Sequence, residues 1–194
     1  RQNFGSTVGR YIGRILNARF TLDGVEYKLV PNNGKSGHIS HGGNPGFADR
    51  IWKVEQADTH RVRLSYLSPD GENGFPGNLK VTLVYSLGED ENALDLTYEA
   101  TTDAPTVLNL SHHSFFNISG NFTKSVEDQQ LWVDADRFTP YDDKKCVTGE
   151  YLPVAGTPLD FRMPHTIGEC IDADHPQLKV VNGYDHTWEL NTKG

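Results

Sequence analysis

In Arg61-Val62-Arg63-Leu64-Ser65-Tyr66-Leu67, the apolar side chains of Val62, Leu64 and Tyr66 alternate with Arg61, Arg63 and Ser65. A two-residue period with one apolar face is the signature of a half-buried strand. The pattern returns twice within forty residues. Leu79, Val81, Leu83, Tyr85 and Leu87 share one face of a second segment, and Leu94, Leu96, Tyr98 and Ala100 share one face of a third, opposite Asp95, Thr97 and Glu99. Ser68-Pro69-Asp70-Gly71, Asn73-Gly74-Phe75-Pro76-Gly77-Asn78 and Gly88-Glu89-Asp90-Glu91-Asn92 separate them with turn-forming residues, so the three read as a meander.

Outward from this core, further strands are expected over 25–30, 51–55, 106–110, 131–134 and 186–190. No amphipathic helix is expected beyond a turn or two near 126–130. Short strands with 19 glycines and 10 prolines between them suit an antiparallel all-β sandwich or barrel and suit long helices badly. No repeat, low-complexity tract or linker divides the chain, so residues 1–194 read as a single domain or part of one.

Composition narrows the function. The chain has 194 residues, 36% of them hydrophobic, with 18 basic against 26 acidic side chains and a net charge of −8. Mean hydropathy is −0.55. Nucleic acid is a poor partner for such a chain, because phosphate binding needs clustered Lys and Arg, and these occur here in runs no longer than two. No apolar stretch approaches the ~18 residues of a membrane span. Cys146 and Cys170 lack the spacing of a zinc site or a disulfide framework and are expected as two thiols. The first residues, Arg1-Gln2-Asn3-Phe4, hold neither a methionine nor an apolar leader, and Met163 is the sole methionine, so a processed or truncated start is expected.

Of the eight histidines, two stand in unusual surroundings. His41 follows Asn32-Asn33-Gly34 and precedes Gly42-Gly43, in polar, glycine-rich sequence where backbone can approach a ligand and the imidazole can donate or accept; a solvated loop histidine is the plainer alternative. His113 lies in Ser111-His112-His113-Ser114-Phe115-Phe116-Asn117, at the end of an apolar strand. There it suits general acid or base work, with the two Phe rings either a stacking face for a sugar or simply core. Adjacent strand residues point to opposite faces, which argues against His112 and His113 sharing a metal.

Asp185, in Asn182-Gly183-Tyr184-Asp185-His186, reads either as half of an acid–base pair with His186 or as an Asx turn entering a strand. Arg14, in Gly9-Arg10-Tyr11-Ile12-Gly13-Arg14-Ile15, offers a planar fork for hydroxyls or carboxylates, or a surface ion pair. No serine nucleophile elbow, phosphate loop or dinucleotide fingerprint is present.

Taken in order, Gly9-Arg10 to Arg14, Asn32-Asn33-Gly34 to His41-Gly42-Gly43, Asp70-Gly71-Glu72 to Gly77, His113-Ser114-Phe115-Phe116-Asn117 and Gly183-Tyr184-Asp185-His186 resemble the aldose 1-epimerase, or galactose mutarotase, family. The match spans nearly the whole chain. The resemblance implies an antiparallel β-supersandwich isomerase that interconverts the α and β anomers of free aldohexoses such as galactose and glucose, without metal or cofactor. It implies His113 as general acid on the ring oxygen, His41 as a catalytic and substrate-polarising residue, and Arg14 and Asp185 as holders of sugar hydroxyls.

It also implies a base, a glutamate well downstream of the Gly-Tyr-Asp-His motif. The chain stops at Gly194, nine residues after Asp185, so the glutamate is expected outside it, the chain is expected to be incomplete at both ends, and Glu189 does not take that role. Gly13 stands where the family usually has asparagine, His112 where asparagine or glutamine is common, and residues 35–40 lengthen the loop before His41. A non-catalytic sugar-binding module of the same fold and a hexose-phosphate epimerase are the alternatives, the latter disfavoured by the lack of a basic cluster. A monomer or homodimer in the cytoplasm is expected, with a periplasmic or secreted chain as the alternative. Sequons at Asn109, Asn117 and Asn121 are treated as coincidental, because a glycan there would obstruct the histidine motif.

Overall fold

The computed structural model describes residues 3–192; the start at Arg1-Gln2 and the end at Gly194, on which the expected truncation rests, lie outside the described residues. The chain packs as two compact units, residues 1–114 and 115–194. The first contains β1 (Thr7–Val8), β2 (Arg14–Ile15), β3 (Arg19–Leu22), β4 (Val25–Lys28), β5 (Ile39–Ser40), β6 (Lys53–Ala57), β7 (Arg61–Ser68), β8 (Leu79–Leu87), β9 (Leu94–Thr102) and β10 (Ser111–His112). The second contains β11 (Gln130–Leu131), β12 (Arg137–Thr139), β13 (Leu152–Pro153), β14 (His165–Thr166), helix α1 (Pro176–Val181) and β15 (Thr187–Glu189). The expected all-β, antiparallel character is borne out: the sheet ladders all pair antiparallel.

The meander forms the four-stranded sheet β6-β7-β8-β9. Its register runs from Arg61↔Ser86 to Ser68↔Leu79 between β7 and β8, and from Leu79↔Thr102 to Leu87↔Leu94 between β8 and β9. The central strand is buried on both faces from Val81 to Val84, and β9 at the edge is mostly exposed, with only Leu96 and Tyr98 half-buried on its apolar face. Edge position explains the difference: β9 has the same pattern as its neighbours but a partner on one side only.

Two apolar clusters hold the first unit. Phe47, Leu79 and Val81 pack with Trp52, Tyr66, Tyr98 and Leu110 against the sheet, and Ala18, Leu29, Ile39 and Phe75 pack with Tyr11, Ile15, Phe20 and Val107. In the second unit, Phe138, Val154 and Leu159 pack with Tyr184 and Trp188. Each fully buried Phe or Leu contributes roughly 1.5–3 kcal/mol by leaving water.

Several expected strands are shorter or displaced. Residues 25–30 pair only over β4, and 51–55 shift to β6 with a bulge between Val54 and Gln56, leaving Ile51 exposed. Residues 106–110 form no ladder, only a bridge at Asn109, whose N–H donates to the Arg10 carbonyl while its own carbonyl accepts from Ile12. Residues 131–134 pair only at Leu131, and 186–190 pair over β15. Residues 126–130 form a turn and no helix.

The one α-helix among the described residues, α1, was not expected. It is too short for apolar periodicity, yet it carries local signals: His175 as N-cap accepting from the Gln177 N–H, Pro176 at its first position and left-handed Asn182 at its end. Cys146 is buried and Cys170 half-buried, both as thiols, as expected.

Candidate active site

Pairing of β2 with β5, Arg14↔Ser40 and Ile15↔Ile39, brings two distant motifs together. Ile39 is in the core, and His38 beside it is fully buried, with Nδ1 accepting from the Asn17 N–H at 2.9 Å. The residues that lengthen this loop are therefore structural: a 3₁₀ turn at Gly34–Ser36 followed by a core-anchored strand.

His41 follows β5 with left-handed backbone, φ 51°. Its N–H donates to the Gly13 carbonyl at 2.9 Å, and the Gly13 N–H donates back to His41 Nδ1 at 3.3 Å. Gly13 itself has φ 77°, a region that glycine takes freely and asparagine better than most, which accommodates the departure at this position. Because Nδ1 is an acceptor, the proton of the neutral ring sits on Nε2. Burial first, then the neighbouring His113 and the Arg14 guanidinium, push the His41 pKa down to about 4. His41 is therefore a neutral imidazole at pH 7, with Nε2–H available as a hydrogen-bond donor.

His113 reaches the same place from the other end of the unit. The β1–β10 pairing, Thr7↔His112, is extended by the His113 N–H to the Ser6 carbonyl at 2.8 Å and by the Gly5 N–H to the His113 carbonyl at 2.9 Å. The His41 and His113 rings meet edge to face, centroids 5.2 Å apart at 85°. His112 turns the other way, its ring against Tyr85 and its Nδ1 paired with Ser114 Oγ at 2.8 Å, so the two adjacent histidines do not share a site. A cavity of about 170 Å³ opens beside His41, lined with Asn32, Asn33, Ser40 and Asp49 among others. Phe115 and Phe116 are 61% and 76% exposed, so they are not core.

Arg14, His41 and His113 are thus gathered in the first unit; Asp185 belongs to the second. Asp185 is exposed, and its carbonyl accepts from the Tyr141 hydroxyl at 2.8 Å. The Gln177 side chain clasps the Tyr141 main chain, accepting from its N–H at 2.8 Å and donating to its carbonyl at 3.0 Å. His186 is buried among Phe138, Tyr141 and Trp188, with Nε2 towards Gln177 Oε1 at 3.3 Å. Burial, and secondarily His175, push its pKa down to about 4. His186 is therefore a core residue. Glu189 pairs with Arg137 at 2.6 Å across the β12–β15 ladder, a strand role. A larger cavity in the second unit, about 560 Å³, is lined by Glu127, Asp172, Asp174 and Lys179 together with Asn182 and with Gly183 of the Gly-Tyr-Asp-His motif, but not by Asp185 itself.

The sequence reading missed the support of the His41 loop. Arg10 is 1% exposed and its guanidinium is fully engaged: Nε donates to Ser68 Oγ, and the two terminal nitrogens donate to the carbonyls of Ser68, Pro69, Pro76 and Gly77 and to Thr106 Oγ1, at 2.8–3.3 Å. It ties both ends of the 69–78 loop together. Within that loop Glu72 accepts from the Tyr66 and Ser68 hydroxyls and pairs with Arg50. Nothing local marks Arg10 as buried, since most of its partners are main-chain carbonyls.

Comparison with known proteins agrees with this architecture. The aldose 1-epimerase family profile matches residues 1–194. A galactose mutarotase of Sus scrofa is 40% identical over 187 residues, covering 96% of this chain and 52% of the relative. An aldose 1-epimerase of Escherichia coli K12 is 38% identical over 190 residues, covering 98% and 54%. The crystal structure of a galactose 1-epimerase from Lactobacillus acidophilus superposes with a TM-score of 0.87 at 34% identity, covering all of this chain and 57% of that one. The chain thus spans about half the length of the relatives it matches. With a family profile matched from end to end and an all-β, sandwich-like fold shared with a solved galactose epimerase, the chain belongs to the aldose 1-epimerase family.

Proposed function

We propose that the protein interconverts the α and β anomers of free aldohexoses, galactose and glucose foremost, and that His113 and His41 act on the ring-oxygen side of the sugar. The observation that carries this reading is the edge-to-face pair of imidazoles 5.2 Å apart, in which His41 is held neutral. Anomerisation moves two protons: one is placed on the ring oxygen while another leaves the anomeric hydroxyl. The C1–O5 bond then breaks to give the open aldehyde, the carbonyl rotates, and reclosure on the other face reverses both transfers. The two imidazoles have different tasks. His41, neutral and presenting Nε2–H, can hydrogen-bond a sugar oxygen but cannot supply a full proton near pH 7; the acid role is the one the family resemblance assigns to His113, with a carboxylate required as base on the anomeric side. Arg14, beside the two histidines, holds sugar hydroxyls and keeps the open chain placed for reclosure. No described helix is long and apolar enough to cross a membrane.

Binding is testable independently of turnover. Adding galactose to isotope-labelled protein should move the imidazole resonances of His41 and His113 and leave those of His60, exposed on the sheet rim, in place. Unmoved His41 and His113 resonances at saturating galactose would contradict the site.

A further inference from the structure

The left-handed backbone at His41 is followed by Gly42, Gly43, Asn44 and Pro45, a segment without regular structure that needs an outside support to hold an imidazole in place. The Asn73 side chain supplies one. Its Nδ2 donates to the Gly42 carbonyl at 2.9 Å and to the Pro45 carbonyl at 2.9 Å, so the two amide protons of one side chain span the segment directly after His41. The opposite amide orientation would set Oδ1 against two carbonyl oxygens, which fixes the assignment.

The contact is also steric. A Cβ at Gly43 would lie 2.5 Å from Asn73 Cγ, so only glycine lets the amide in. Asn73 is itself rigidly mounted. It sits at φ 50° in the 3₁₀ turn Glu72–Gly74, its carbonyl accepts from the Val30 N–H at 3.0 Å, and the loop that carries it is closed at both ends by Arg10. We propose that Asn73 is the positioning residue for His41: by clamping the Gly42 and Pro45 carbonyls it holds the His41 imidazole against His113 and against the Gly13 N–H.

The proposal rests on the reading of His41 as a sugar-facing group, but its test does not depend on activity. Asn73→Gly keeps the left-handed backbone free of strain and deletes the amide; Asn73→Asp keeps the shape and replaces two donors with acceptors. Val84→Ala, in the core of β8, serves as a destabilised control. Imidazole NMR titration of His41 in the full-length protein is expected to give a midpoint of about 4 in the wild type and in Val84→Ala. It should rise by about one unit or more, towards the ordinary histidine value, in both Asn73 variants as the ring loosens and hydrates.

A folded Asn73→Gly protein whose His41 still titrates at about 4 would overturn the proposal. A second measurement needs no variant: both Nδ2 protons of Asn73 should exchange with water at least ~10-fold more slowly than those of the exposed Asn17 amide. Equal exchange rates would also overturn it. If the titration moves as expected and galactose does not bind, the clamp stands and the sugar reading fails, so the two failures are distinguishable.

Discussion

His186 shows how a histidine can be misread from its neighbours. Next to Asp185 it looks like half of an acid–base pair, yet its ring is packed among three aromatic residues and its Nδ1 is buried without a partner. Its pKa falls from 6.5 to about 4 because burial disfavours the charged form. In the unfolded chain it protonates near 6.5, so the unfolded state binds more protons between pH 6.5 and 4. Stability contributed by the neutral ring is therefore fully present above pH 6.5 and is lost as pH falls through about 4. For His186 alone the loss is on the order of 3 kcal/mol, and the partly buried His41 adds to it in the same direction. Urea unfolding at pH 7 and pH 4 should show this loss, and His186→Phe should be close to wild type at pH 7 while losing less at pH 4. An identical pH dependence in wild type and variant would contradict this.

Among the elements, the meander and the 69–78 loop were legible to very different degrees. Strands β7, β8 and β9 could be read almost to the residue, because a solvated face opposite an apolar one forces a two-residue period over many positions. The two-residue strands β1, β2, β5 and β10 could not. Each is defined by a single partner far along the chain, and two residues cannot display a period. Helix α1 fell below the length at which helical periodicity appears. Arg10 was invisible for another reason: a buried guanidinium is recognisable only by where its donors go, and they go mainly to carbonyls, which every residue has. Its importance can be stated as a number. Arg10→Leu leaves buried carbonyls of the loop unpaired and removes a charge held beside Glu72, so a loss of ~3–5 kcal/mol is expected by chemical denaturation. A loss under about 1 kcal/mol would mean that water replaces those bonds without cost.

At the scale of the molecule, two levels of information met. Local sequence identified candidate residues, each with a plain alternative, and only their order along the chain pointed to the aldose 1-epimerases. The first unit then brought Arg14, His41 and His113 from three separate stretches into one place, an adjacency that no spacing along the chain contains. Its surroundings hold His41 neutral, which leaves that ring a donor of a hydrogen bond and not of a proton near pH 7. Anomer interconversion by His113 is the central claim, and polarimetry of freshly dissolved α-galactose tests it most directly, using the protein at its natural length. The wild type should bring the sugar to anomeric equilibrium far faster than buffer, and His113→Asn should cut the rate by roughly 10²–10⁴-fold while still binding galactose. Equilibration no faster than buffer with the wild type, or undiminished in His113→Asn, would contradict it.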